Sequence, residues 1–450
     1  MPKKHKELGT ANVNSLLLKL SFPSMIALFA NAIYNIIDTI FVGRGVGTQG
    51  IAGVAIVLPV VAIVSSFSHM VGIGTSSLIS RQLGRKQDKL VNETAGNGFL
   101  MIIIVGVFFS TIGLLFTDPI LRAFGATPTI LPFARDYGSI VFIGMLWFPF
   151  CVSSSNYLRA EGNARDSMNA MLIGILVNVV LDYIFIFPLQ MGMQGAALAT
   201  IIGKFTTFLY LIHYFTKPNH VIKFRLSQLK LQKKVIKPAL SVGVSGFGMR
   251  SSSSVANIVL NHTLGALGGD IAIAIFGVIY KITLFFGMPL YGLNQGMQPI
   301  VGYNYGADNP ERIKKTIKLG FLYGIIYGLI AVVVFQIFAK PIFSLFTTDL
   351  QLIEAGHRAL RIVIAMMWLM GITQATTGAH QAMGFPRAAF ILSIQRWVLL
   401  VIPLVLVLPN IYNLGLDGIW IALPLSDFIA AVVSITFLLV TLRKGRILKG

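Results

Sequence analysis

Acidic side chains are scarce in this chain. Its 450 residues hold 16 Asp and Glu against 36 Lys and Arg, a net charge of +20. Charged residues of both signs make up only 12% of it, while 55% is hydrophobic. A soluble protein of this length needs more charge to cover its surface, so the composition indicates an integral membrane protein. Cysteine is nearly absent: the lone Cys151 excludes an intrachain disulfide and any cysteine-based metal cluster. No Walker-type Gly-rich loop with Lys and Ser/Thr is found, so nucleotide drive would need a separate subunit. HExxH and clustered histidines are missing, and the "GVG" at 45–47 lacks the "TVGYG" of a potassium filter.

What is there is a succession of apolar runs, each near the length of about 20 residues needed to cross the hydrocarbon. They predict twelve spans over 16–42, 50–80, 93–116, 132–157, 166–188, 194–216, 236–262, 271–300, 313–338, 357–380, 388–410 and 415–442. The start combines basic residues, an apolar run and an Ala30-Asn31-Ala32 site, as a signal peptide does. Cleavage there would destroy the first span, so the segment is read as retained.

The basic residues fall mostly in alternate short connections: Lys3 to Lys6, Arg81 to Lys89, Lys217 to Lys237, Arg312 to Lys318 and Arg443 to Lys449. Connections such as "FPLQMGMQG" and "NLGLDG" carry none. The connection holding Lys340, Arg358 and Arg361 is the exception. The positive-inside rule places both termini in the cytoplasm of a multi-pass protein of the cell membrane. Loop charge of this kind serves topology and lipid headgroups, and no nucleic-acid partner is expected.

The chain also repeats. At an offset near 222, Gly47 meets Gly269, Gly84 meets Gly306, and "EGNAR" at 161–165 meets "MGFPR" at 383–387. Trp147 meets Trp368 one residue short, and "GMQGAALA" meets "GLDGIWIA" one residue long. Six spans start and end on the same side, so the halves should be parallel copies. The expected architecture is all-α, with two pseudo-symmetric six-helix bundles around a central cavity. The N-terminal bundle covers 1–216, a basic cytoplasmic linker 217–235, and the C-terminal bundle 236–450.

An ionisable residue inside a membrane span costs roughly 2.5–3.5 kcal/mol or more and marks a functional site by default. In the first span Asn31, Tyr34, Asn35 and Asp38 recur at helical spacing. In the fifth, Asn178 stands four residues before Asp182; in the sixth, Thr200 and Lys204 interrupt an apolar run. Two carboxylates with Asn and Thr oxygens can cage a small hard cation such as Na+, or the acids can share a proton. The repeat places Leu260 and Leu404 where copies of Asp38 and Asp182 would fall, so the pair belongs to one half only. That asymmetry points to a site rather than a structural pin. Pro23 interrupts the first helix and is a candidate hinge. In the second half Arg250, Lys281 and Arg396 lie within spans, with Asp427 in the last. They are candidates for ion pairs or for cavity charges, and Glu161 in "RAEGNAR" is a candidate gate partner for Lys281.

These residues resemble the multidrug and toxic compound extrusion (MATE) family, in its DinF-like branch, over essentially the full length. The likeness rests on "LSFPSMIALFANAIYNIIDTIFVG", "RAEGNAR", "VNVVLDYIFIF", "QGAALAT" and "GYNYGADNPERI", in that order. It implies a secondary active efflux transporter, not an enzyme, that needs no cofactor. Uptake of H+ or Na+ would drive export of a lipophilic, often cationic drug by alternating access. It also implies that Asp38, Asn178, Asp182 and Thr200 form the coupling site, with Tyr34 adjacent and Pro23 as the bend. Small-molecule drugs or lipid-like substrates, membrane lipids and a monomeric state are expected. The alternative is a lipid-linked oligosaccharide or other lipid flippase of the same superfamily, for which a basic cavity suits pyrophosphate.

Overall fold

The computed structural model describes residues 4–218 and 220–444. Lys3, Asn219, Arg446 and Lys449, which enter the charge and linker readings, lie outside the described residues. The described residues form helices joined by short connections, with no strand among them. Within hydrocarbon, a helix satisfies its backbone polar groups inside one segment.

The first half comprises α1 (Val13–Gly45), α2 (Thr48–Gly84), α3 (Asp88–Leu115), α4 (Leu131–Gly144), α5 (Phe148–Ala160), α6 (Ala164–Ile186) and α7 (Gly192–Thr216). The fourth span is broken: α4 and α5 meet at 47°, with Pro149 near the start of α5. The second half opens with α8 (Lys233–Gly306), helical throughout except at Gly269, where φ is 61° and ψ is −156°. There the chain reverses. Gly243, near one end of α8, packs on Met70, and Gly306, at the other end, packs on Arg81, both on α2. Only glycine holds that conformation without strain. The single long helix is therefore two spans. Next come α9 (Pro310–Ile337), α10 (Leu350–Ile364) and α11 (Met370–Met383), the last two joined through a 3-10 turn at Met367–Leu369. α12 (Pro386–Ile394) runs into a π-helical segment at Gln395–Val401, and α13 (Gly415–Lys444) closes the chain. Among the described residues ten helices are long and apolar enough to cross a membrane; the bent pair adds one and the division of α8 at Gly269 another, which gives the twelve the hydropathy predicts.

The duplication is written in the backbone. Left-handed residues recur 222 positions apart at Gly47 and Gly269, Lys86 and Asp308, and Gly162 and Gly384. Gln190 and Asn413, like Gly192 and Gly415, recur 223 apart.

The halves touch most closely toward the end that bears the basic loops. There a Cβ on Gly84 would strike the carbonyl of Tyr303, and one on Gly306 would strike the carbonyl of Arg81. Gly296 on Ser21 and Gly292 on Met25 bring α1 against α8 in the same half of the membrane. Small residues permit this approach, the usual device where lipid supplies no hydrophobic drive between helices.

Candidate functional site

The structure gathers one polar cluster inside the N-terminal bundle. α1 and α6 pack near their ends, where a Cβ on Gly45 would strike Ile186. One to two turns back from that contact, Asp38 faces Asp182, both buried. Asn178 stands one turn before Asp182 and reaches it. α7 is drawn in at Gly203, where a Cβ would lie 2.7 Å from Asn178 Cβ and 2.6 Å from the Gly174 carbonyl oxygen. This brings Thr200 to the Tyr34 side chain.

The cluster is close but not closed. Asp38 Oδ1, both Asp182 carboxyl oxygens, Asn178 Oδ1 and Nδ2, and Thr200 Oγ1 are buried without a properly aligned hydrogen-bond partner among the described residues. A buried polar atom without a partner costs about 1–3 kcal/mol, so these six need an explanation. Five of them are oxygens, the donor set of a hard monovalent cation. A proton shared between the carboxyls would relieve part of the same deficit. The residues present fit either ion.

One member of the cluster, Tyr137, was missed by sequence reasoning, and Lys204, named there beside Thr200, was given no role. Tyr137 on α4 is buried within the field of Asp38 and reaches Thr200. Lys204, one turn beyond Thr200, extends its ammonium over the Tyr34 ring, 5.5 Å from the centroid, and lies within the field of Asp38. The i, i+4 spacing from Thr200 was the available signal. Asn35, by contrast, is turned out: it is exposed and its amide donates to the Asn31 carbonyl at 2.8 Å. Pro23 is buried in α1, which continues as helix through it.

The candidate gate pair is corrected. Glu161, in the turn between α5 and α6, accepts from the backbone N–H of Val221 at 2.5 Å and of Ile222 at 3.0 Å, and from the Tyr214 hydroxyl at 3.2 Å. It holds the interdomain linker instead of Lys281. Burial pushes its carboxyl up to about 7, against the pull of those hydrogen bonds. Lys281 is exposed and has no hydrogen bond or ion pair among the described residues. Asp427 does pair, with Arg396: Nε donates to Oδ1, and Nη2 to Oδ2 at 3.2 Å. The Arg396 guanidinium also stacks 4.4 Å from the Trp397 ring centroid. Arg250 reaches across to the other half, its Nη2 2.9 Å from His69 Nε2. Because arginine only donates, His69 accepts there and its other nitrogen, Nδ1, carries the proton.

Comparison with known proteins agrees with this layout. The MatE family model matches twice, at residues 23–184 and again at 247–407, one match per half. The multidrug export protein MepA of Staphylococcus haemolyticus is 28% identical over 433 residues, 96% of this chain and 94% of that one. MepA of Staphylococcus aureus strain N315 gives the same identity and coverage over 432 residues. A crystal structure of a MATE protein in its bent conformation superposes with a TM-score of 0.93 at 26% identity, covering 100% of this chain and 99% of that one. A transporter of the MOP superfamily from Pyrococcus furiosus, described as having a binding pocket of reverse polarity, gives 0.91 at 27% identity, with 99% of each chain covered. With a family model on both halves and relatives along the full length, the chain belongs to the multidrug and toxic compound extrusion family.

Proposed function

We propose that this protein is a secondary active efflux transporter that exchanges inward movement of H+ or Na+ for outward movement of a lipophilic drug. The observation that carries the reading is the face-to-face pair Asp38 and Asp182 with its unpartnered oxygens. Entry of one monovalent cation cancels one of the pair's two negative charges, and the Lys204 ammonium offsets the other. That removes the demand for a polar environment around α1, α6 and α7, lets them repack, and shrinks the space left for the drug. Pro23 is the natural place for α1 to bend, because its missing N–H leaves the Lys19 carbonyl without a helical partner. Contacts between the halves concentrated at one end favour a state open to the other side, as alternating access requires. The export function of the MepA relatives supports the same direction of transport.

In this reading residues 1–216 form the coupling half, 217–235 a cytoplasmic linker and 236–450 the second half. The protein works as a monomer in the cell membrane with both termini in the cytoplasm, and it takes drugs or lipid-like molecules and no nucleic acid. Asp38, Asp182, Asn178 and Thr200 bind Na+ if sodium is the coupling ion. Dye efflux from proteoliposomes under separately imposed pH and Na+ gradients tests this. One of the two gradients must drive efflux, and efflux indifferent to both would remove the reading. A second reading, export or flipping of a lipid-like anion, is favoured by Arg250, which has no carboxylate partner among the described residues.

A further inference from the structure

The two halves differ in the sign of the charge placed within their spans: Asp38 and Asp182 against Lys204 in the first, and Arg250, Lys281 and Arg396 against Asp427 in the second. Among the acids of the second half, only Asp427 lies within the body of a span, and it is committed to Arg396. Arg250 then stands near the middle of its span with a full charge and no acid beside it. Its hydrogen-bond partner is His69, which takes one of its five N–H groups, while Tyr280 and Tyr291 on the far arm of α8 lie within its field. Tyr291 also lies in the field of Arg396, and Tyr280, Tyr291 and Trp397 all pack against one apolar core of the second half.

Three observations make this a surface for a ligand. Arg250 is exposed although it is in the middle of a membrane span and turned toward α2, so its exposure is to the cleft between the halves. A bare guanidinium facing lipid would be prohibitive, whereas one facing a wet cleft is tolerated. The Arg396–Trp397 platform is carried by the π-helical segment Gln395–Val401, an irregularity frequently found at functional sites. Finally, the aromatic rings offer apolar faces beside a guanidinium fork free to grip two oxygens at once.

We propose that this patch is the head-group subsite of the transported molecule, and that it takes an amphiphilic anion: a phosphate or carboxylate on Arg250, with an apolar body against Tyr280, Tyr291 and Trp397. Arg396, neutralised by Asp427, supplies shape and a stacking face, while Arg250 supplies the net charge. This rests on the efflux reading and adds to it the sign of the substrate.

Equilibrium binding to the full-length protein in phosphatidylcholine nanodiscs tests the proposal without any gradient. The probes are decyl phosphate, decanoate, decyltrimethylammonium and inorganic phosphate. The wild type is expected to bind decyl phosphate or decanoate at least about tenfold more tightly than decyltrimethylammonium, and inorganic phosphate weakly. Arg250→Gln should weaken the anionic amphiphile about tenfold, with Arg250→Lys in between. Equal or tighter binding of decyltrimethylammonium overturns the proposal, and that comparison needs no variant. Inorganic phosphate binding as tightly as decyl phosphate overturns the amphiphile. Affinity unchanged in a monodisperse Arg250→Gln protein overturns the role of Arg250. Failure here alongside gradient-driven dye efflux would leave the transport reading standing. Anion binding without transport under either gradient would do the reverse.

Discussion

Lys204 changes how the carboxylate pair has to be understood. Two buried acids with no compensating charge would repel each other strongly, and an ammonium in the field of Asp38 offsets part of that repulsion. Lys204 is then a tethered cation competing with the one that drives transport. Lys204→Gln should lower the concentration of coupling cation for half-maximal efflux, on the order of tenfold, because the competitor is gone. An unchanged concentration dependence would leave Lys204 as a packing residue against Tyr34. Glu161 gives a second test at this scale, through stability. Its carboxyl keeps its proton in the fold up to about pH 7, against an ordinary value of 4.5. Across that window the folded chain holds a proton the unfolded chain has lost, so stability falls as pH rises and levels off above it. Glu161→Gln keeps an acceptor for Val221 and Ile222 but cannot ionise. Melting curves in detergent between pH 4.5 and 8 should decline less for this variant than for the wild type; parallel declines would contradict the assignment.

At the scale of the element, the first helix carries both Asp38, the proposed coupling acid, and Pro23, the candidate hinge. Pro23→Ala restores a helical hydrogen bond and stiffens α1. Turnover should slow by several-fold at unchanged membrane insertion, read as initial efflux rate per inserted protein; an unchanged rate would make the kink static. What the sequence revealed of the elements, and what it hid, has a physical pattern. The span positions were legible because hydrocarbon demands long apolar runs, and Asp38, Asn178 and Asp182 stood out because polarity within such runs is costly. The outward turn of Asn35 was not legible, since its i, i+4 spacing from Asn31 and i, i+3 spacing to Asp38 put it on the predicted polar face. The π-helical segment at Gln395–Val401 was hidden too, because its residues "QRWVLLV" are ordinary for a span. Glu161 was legible only as an acid in the "RAEGNAR" turn and was given Lys281 as its partner; its actual partner is linker backbone, which carries no side-chain signature.

On the scale of the whole molecule, duplication explains the architecture and its breach explains the function. The recurring left-handed positions and the crossed contacts of Gly84 with Tyr303 and Gly306 with Arg81 keep the two halves alike where they meet. The polar residues depart from that likeness: acids in the first half, unpaired basic charge in the second. A transporter needs a place for the driving ion and a separate place for its cargo, and divergence of two copies supplies both. The repeat itself was readable from a few glycines at one offset, because positive φ leaves few alternatives to glycine. The closeness of the halves at one end was not, since contact between distant segments leaves no periodic trace. The central claim is that a cation on Asp38 and Asp182 powers export. Its most direct test is drug efflux from proteoliposomes under an imposed pH or Na+ gradient, comparing the wild type with Asp38→Asn. The account predicts that the variant inserts and binds drug but loses gradient-driven efflux by about tenfold or more; efflux at the wild-type rate under the same gradient would contradict it.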